Sequence, residues 1–137
     1  MKKIVPKNAV LIPDDAKKVF GGVIHDTYQW PQRLYDGSVS TFEMLRRADS
    51  VTVLAIVDGK LIALEEEQPH RGFKRVFPTG RVVTSDMSSL EVIKRELLEE
   101  TGYEFANWRL VDVIQPATKI EWFVFLYVAW DVKSQAS

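Results

Sequence analysis

The stretch Gly80–Tyr103, GRVVTSDMSSLEVIKRELLEETGY, decides how this chain is interpreted. Its second half predicts a helix over Ser89–Thr101. Ser88 and Glu91 form an S-x-x-E capping box, in which the serine accepts from an early backbone N–H of the helix. Gly102 stands where a left-handed C-cap residue belongs. The helix is therefore predicted with both of its ends defined.

Two faces of this helix differ in character, since each residue advances by about 100° around the axis. A narrow apolar stripe, expected to face the core, consists of Leu90, Ile93 and Leu97. Three carboxylates lie directly beside it: Glu96, Glu99 and Glu100. Like charges at these spacings repel, and the C-terminal half of a helix disfavours anions. A solvated acidic surface is the plain interpretation, but a divalent cation would supply the missing positive charge.

Composition limits the chemistry that the chain can use. Its 137 residues, 46% hydrophobic and 27% charged, suit one globular domain with one core. A net charge of -1 gives no strong attraction for nucleic acid or an anionic membrane. Without cysteine, and with only two histidines, the candidate metal ligands are carboxylates, which prefer Mg²⁺ or Mn²⁺.

No apolar run follows the basic N-terminus or approaches the roughly 18 residues of a membrane span, so we expect a cytoplasmic protein. Strands are predicted at 22–30, 50–57, 61–64, 76–80, 108–114 and 122–130, and segment 42–48 as a strand or an irregular edge. Asp58-Gly59 predicts a hairpin turn. Several strands, one helix and further strands predict an α+β (mixed α/β) fold.

The block Arg95–Tyr103, together with Gly80, resembles the Nudix box, G-x5-E-x7-R-E-U-x-E-E-x-G-U, in which U is a bulky apolar residue. The second half of the box matches throughout, with Tyr103 as the last bulky residue. The first half is one residue longer than the pattern, so that the leading glutamate falls on Asp86 or Met87. The resemblance implies a Nudix-type mixed β-sheet sandwich.

The resemblance also implies a site. Glu96 and Glu100 would be the principal metal ligands, joined by Glu99, with Mg²⁺ as the cofactor and Mn²⁺ as an alternative. Arg95 would pair with a helix carboxylate and hold its rotamer. The backbone carbonyl of Thr79 or Gly80 is expected to be a further ligand.

Two further segments are similar to the ADP-ribose pyrophosphatase-like branch, so that the resemblance covers roughly residues 50–130. They are Gln68–Arg71 with Val76–Gly80, and Pro116–Glu121, where Ala117 replaces the usual glycine. This branch implies hydrolysis of a nucleoside diphosphate linked to another group X, such as ADP-ribose or a nucleotide sugar. Glu121 is expected to be the catalytic base, with Glu96 as the alternative.

Three residues are candidates for binding this substrate. Arg71 would contact phosphate or the terminal ribose, although pairing with the Glu65–Glu67 run is an equal alternative. Arg81 flanks the expected site and would attract an anion. Trp30 would stack on a base, with strand packing or a dimer contact as the favoured alternative.

The whole chain, 1–137, is expected to be a single Nudix domain, with residues 1–48 as N-terminal strands and a candidate dimerisation segment, and 49–131 as the catalytic core. Only Asp131–Ser137 follows the last predicted strand, so the family's C-terminal helix is expected to be missing. An exposed sheet face would then favour a homodimer. The alternative function is a catalytically weak or inactive Nudix-fold module that binds nucleotides or has a regulatory role.

Overall fold

A computed structural model describes residues 4–83 and 87–135. The elements in chain order are β1 (Lys17–Gly21), β2 (Asp26–Arg33), β3 (Val39–Arg46), β4 (Asp49–Val57), β5 (Lys60–Leu61), β6 (Leu64–Gln68), β7 (Gly72–Val76), β8 (Thr79–Val82), α1 (Ser89–Thr101), β9 (Tyr103–Ile114), β10 (Ile120–Glu121) and β11 (Val124–Gln135). Within the described ranges, no helix is long and apolar enough to cross a membrane. The chain divides into two compact units.

The first unit comprises the chain up to Ala48 together with Gln115–Phe123. Its sheet has the strand order β1-β2-β3-β10, in which β10 runs parallel to β3 and the other pairs are antiparallel. Ile12, Trp30 and Met44 form its buried cluster. Of the segment 42–48, which was predicted as a strand or an irregular edge, residues 42–46 belong to the regular strand β3, which ends at Arg46.

The second unit comprises Asp49–Ile114 and the chain from Val124 onward. Its main sheet has the order β5-β4-β11-β9, and β8 pairs with β4. β11 runs parallel to β4 and antiparallel to β9, which confirms the predicted mixed sheet. β6 and β7 form a separate two-stranded ribbon.

Helix α1 has the predicted bounds and both predicted caps. The Ser88 hydroxyl accepts from the Glu91 backbone N–H at 3.1 Å. Gly102 adopts φ 76°, and its N–H donates to the Leu98 carbonyl at 2.8 Å. Of the predicted apolar stripe, Ile93 and Leu97 are fully buried, whereas Leu90 is only half-buried. Val92 is the third buried residue instead, because α1 packs on β8 as well as on β4 and β9.

Several strand predictions need correction. The strand expected at 22–30 begins only at Asp26, after a bend that separates it from β1. The segment 61–64 is not one strand but the end of β5 and the beginning of β6, which belong to different sheets. Likewise, 76–80 is divided between β7 and β8. Pro78, which has no N–H to donate, lies between them, as is usual for a proline next to paired strands.

The hairpin at Asp58-Gly59 is confirmed, with positive φ at both residues (51° and 73°) and Val57 opposite Lys60. The α+β class is confirmed as well. Residues 131–135, part of the short tail expected after the last strand, continue β11, and α1 is the one α-helix among residues 4–83 and 87–135.

Candidate active site

The carboxylates of α1 lie together with a fourth acid from outside the helix. Glu96 is half-buried, while Glu99 and Glu100 are exposed. Partial burial, a hydrogen bond with Glu96 and the negative charges of Glu96, Glu66 and Glu99 raise the pKa of Glu100 to about 7. The structure therefore brings together the predicted acidic residues of the helix, and the desolvation of Glu100, together with the neighbouring carboxylates, favours its protonated form near neutral pH.

Glu66 is the member of this cluster that the sequence analysis missed. It lies on β6, where its side chain is on the inward face between the exposed Glu65 and Glu67. A run of three glutamates suggests a solvated face, but successive side chains of a strand point to opposite sides. That alternation was the signal that could have separated Glu66 from its neighbours.

Arg71 is held next to this cluster by Glu66. Its Nη2 lies 2.7 Å from Glu66 Oε1, and the arginine side chain is 23% exposed. The predicted pairing with the glutamate run is therefore present, and it places a cation beside the acidic cluster. Contact of Arg71 with a substrate stays a prediction.

Strand β8 approaches α1 at the predicted loop entrance. A Cβ added to Gly80 would lie 2.7 Å from Cγ1 of Val92 and 3.1 Å from Cγ of Glu96. Glycine is therefore required here by close packing rather than by an unusual φ, and its backbone lies beside Glu96. Thr79 precedes it, exposed, with Oγ1 donating to the Phe77 carbonyl at 3.0 Å.

Arg95 and Arg81, the other arginines predicted to belong to the site, also lie in the second unit. Arg95 Nε is 3.9 Å from Glu99 Oε1, one turn along the helix, so it pairs with a helix carboxylate as expected. Both side chains are more than half exposed, and such a pair adds little to stability. Arg81 is exposed on β8, next to Gly80. Asp86, the candidate for the leading glutamate of the box, lies outside the described residues.

The carboxylates of this cluster are of the kind that bind divalent cations, but in this structure they do not converge on one point. Carboxylate oxygens suit Mg²⁺, and a cation would neutralise the repulsion that raises the pKa of Glu100. Across residues 4–83 and 87–135, however, no three acidic or histidine side chains converge on one point as a closed set of ligands. Glu96 and Glu100 are hydrogen-bonded to each other, and metal binding by this pair stays a prediction.

Glu121 belongs to the first unit, where its carboxylate has two partners. Oε1 accepts from the Ile12 backbone N–H at 3.0 Å, and Oε2 forms an ion pair with Nε of Arg46 at 2.5 Å. Glu121 raises the pKa of Arg46 by this hydrogen bond, and Arg46 also lies over the ring of Tyr28, 4.7 Å from its centroid. In this arrangement the carboxylate ties the N-terminal segment to β3. Its role as a base stays a prediction.

Trp30 is 8% exposed and lies in the core of the first unit. Its ring meets Phe42 edge to face at 6.1 Å, and its Nε1 donates to Gln32 Oε1 at 2.9 Å. This position matches the alternative of strand packing. Stacking on a base would require the ring to leave the cluster.

Comparison with known proteins agrees with the motif and the fold. The family model described as NUDIX domain matches residues 46–136, and the chain belongs to this family. No curated protein sequence matches the chain. A solved structure described as "Crystal structure of ADP compounds hydrolase" is similar with a TM-score of 0.74 and 19% sequence identity, over 90% of this chain and 69% of that one. The two proteins therefore share a fold.

Proposed function

We propose that the chain hydrolyses the diphosphate linkage of a nucleoside diphosphate joined to a second group X. The observation that carries this proposal is the acidic cluster on α1, in which the pKa of Glu100 is raised to about 7 by burial and by neighbouring carboxylates. Strongly perturbed carboxylates on a helix are typical of functional sites. Here they occupy the box positions of a NUDIX domain.

Glu96 and Glu100 would hold a divalent cation, with Glu99 joining them and the carbonyl of Thr79 or Gly80 as a further ligand. We propose Mg²⁺, with Mn²⁺ as the alternative. When bound, such a cation lowers the pKa of a coordinated water and neutralises charge on diphosphate oxygens. Arg95, paired with Glu99, would keep this carboxylate aimed at the site.

Glu121 is proposed as the base that takes the proton of the attacking water, and Glu96 is the alternative. A base must lie within hydrogen-bond reach of the proton that it removes. The carboxylate of Glu121 is engaged by Ile12 and Arg46, so its use requires one of those contacts to be exchanged for the water. Glu96 is engaged differently, by its hydrogen bond with Glu100.

The substrate class that we propose is ADP-ribose or a nucleotide sugar. The fold is shared with a protein described as an ADP compounds hydrolase, and the Gln68–Arg71 and Pro116–Glu121 segments are similar to the ADP-ribose branch. Arg71 and Arg81 would contact the phosphates, since guanidinium groups recognise them with paired donors.

A product-release assay tests this function. Wild type would be incubated with ADP-ribose, nucleotide sugars, dinucleotides and oxidised dNTPs, with Mg²⁺ and with a chelator. We expect release of a nucleoside monophosphate that requires the metal, and loss of release in Glu100→Gln but not in the matched Glu67→Gln, whose side chain is exposed on β6. Equal turnover in wild type and Glu100→Gln would reject the mechanism.

The second candidate is a NUDIX domain that binds nucleotides with little or no turnover. It is favoured by the lack of a closed set of three ligands among the described residues and by the engagement of Glu121 within its own unit. This candidate predicts saturable, Mg²⁺-dependent binding of the same compounds without product. The release assay and a binding titration together distinguish the two.

We further propose a homodimer in the cytoplasm, assembled through the first unit. Its sheet carries large apolar side chains that are exposed in the single chain: Val19, Phe20, Val39 and Phe42. Large apolar surface that is exposed on a single chain is typical of interfaces.

A further inference from the structure

A concave surface lies on the side of α1 away from Glu96 and Glu100. It is a cavity of about 470 Å³ between α1, β9 and the end of β11, which we term the aromatic groove. Its rings are Tyr103, Phe105 and Trp108, and its cations are Lys94, Arg95 and Lys133. The volume is in the range of small-molecule sites. All of these residues belong to the second unit.

The groove and the acidic cluster use different faces of one helix. Successive residues advance by about 100°, so that Lys94 and Leu98 lie on one side and Glu96 and Glu100 on the other. Arg95 lies at the border, because it lines the groove and also pairs with Glu99. The groove is therefore not part of the candidate metal site, but one side chain connects the two.

The aromatic side of the groove is firmly packed. Phe105 meets Trp108 edge to face at 6.3 Å, and Trp108 meets Tyr127 in the same way at 6.4 Å. The Trp108 Nε1 donates to the Phe105 carbonyl at 3.3 Å. These contacts fix the indole, which remains half-buried at the groove. A ring fixed in advance loses little conformational entropy when a ligand stacks on it.

The charged groups suit a ligand that carries both an anion and hydrogen-bond donors. Lys94 Nζ lies 5.9 Å from the centroid of the Trp108 ring, so a cation and a π-face meet at one point. Lys133 lines the same groove, as do the carboxylates of Glu91 and Glu104. Carboxylates accept hydrogen bonds from hydroxyl and amino groups. A nucleotide combines an aromatic ring, hydroxyl donors and a phosphate.

We propose that the aromatic groove binds a nucleoside monophosphate. Its base would stack beside Trp108, its phosphate would be neutralised by Lys94 and Lys133, and its ribose hydroxyls would donate to Glu91 or Glu104. Phosphate bound near Arg95 would compete with Glu99 for the guanidinium, and occupancy of the groove would thereby alter the acidic cluster. Binding at the groove does not depend on the proposed hydrolysis.

The test is a titration of full-length protein with AMP in the presence of a chelator, followed by the indole N–H resonance of Trp108 in an NMR spectrum. The resonance is assigned from Trp108→Phe. Adenosine and inorganic phosphate are titrated separately. The double variant Lys94→Gln/Lys133→Gln is compared with Lys60→Gln, which removes an exposed lysine of the same unit from β5.

We expect AMP to shift the Trp108 resonance saturably and more tightly than either adenosine or phosphate alone. The double variant should weaken AMP binding about tenfold, as for loss of a charge-assisted contact, while Lys60→Gln leaves it unchanged. Three results would overturn the proposal: no shift at millimolar AMP, equal affinity in the double variant, or phosphate binding as tightly as AMP.

Discussion

The carboxyl groups of Glu96 and Glu100, one turn apart on α1, share a hydrogen bond. Such a bond requires a proton on one of the two groups, because two ionised carboxylates have no donor. Together with Glu66 and Glu99, and with partial burial, Glu96 raises the pKa of Glu100 to about 7. A helix selected for stability alone would carry lysine or arginine in its last turns, but no basic residue is present in the last turn of α1. The pair is therefore costly for the isolated chain.

This cost gives the first prediction. Glu100→Gln should raise the free energy of unfolding of the metal-free protein by a few tenths of a kcal/mol at mildly alkaline pH, because repulsion among ionised carboxylates is relieved. The same variant should lose most of the stabilisation that added Mg²⁺ gives to wild type. Urea unfolding with chelator and with Mg²⁺ measures both effects, and Glu67→Gln is the control. If Glu100→Gln were less stable than wild type without metal and were stabilised by Mg²⁺ as much as wild type, neither the repulsion nor the metal binding proposed for Glu100 would hold.

The second prediction concerns the contact between Gly80 and α1. Gly80→Ala should destabilise the protein by about 1–3 kcal/mol, since the new Cβ would lie 2.7 Å from Cγ1 of the buried Val92. Val92→Ala removes that methyl group and should make the Gly80→Ala substitution less harmful. A double-mutant cycle measured by chemical unfolding should therefore show favourable coupling between the two changes. Simple additivity would show that the clash is not the cause.

The third prediction concerns the N-cap of α1. Ser88→Ala removes the acceptor of the Glu91 N–H and should lower stability by about 1 kcal/mol. Ser88→Asp keeps an acceptor at the same place and should retain most of the stability. Thermal unfolding of the two variants checks this, and equal losses would indicate that the cap contributes little.

The fourth prediction separates two roles of Glu121. Glu121→Gln weakens the ion pair with Arg46 but retains an oxygen for the Ile12 N–H. We expect a modest loss of stability, about 1 kcal/mol. If Glu121 is also the base, kcat should fall by about 10²-fold or more with Mg²⁺ binding unchanged. Arg46→Gln disturbs the same pair from the other side. An equally large fall of kcat in both variants would indicate that Glu121 acts through structure alone.

The fifth prediction concerns assembly. Phe20, 64% exposed on β1, should lie in the dimer interface, so that Phe20→Asp yields a monomer by light scattering while wild type is a dimer. Tyr35→Asp, in the turn before Asp36-Gly37, changes an exposed aromatic outside the strands and should leave the dimer intact. A monodisperse wild-type monomer would reject the homodimer.

Local signals accounted for much of the fold. The bounds of α1 followed from Ser88 and Gly102, because caps act on backbone groups within one turn. The hairpin at Asp58-Gly59 followed from residues that tolerate positive φ. The predicted strand limits were less accurate around Pro78 and Gly22, because the sequence alone did not show with which strand each of these segments pairs. Leu90 was predicted to be buried but is only half-buried, and Val92 is buried instead, because α1 packs on β8 as well as on β4 and β9.

The sequence by itself determined the class of the chain: an acidic helix with fixed spacing, capped at both ends, which identifies a NUDIX domain. Spacing along one helix is a local property and needs no tertiary information. Only the tertiary structure decided that Glu66 joins the cluster, that Arg71 pairs with it, and that Glu121 is engaged by Ile12 and Arg46. These contacts join residues of different strands and segments. Which of them meet depends on sheet pairing and packing, which no short stretch of sequence specifies.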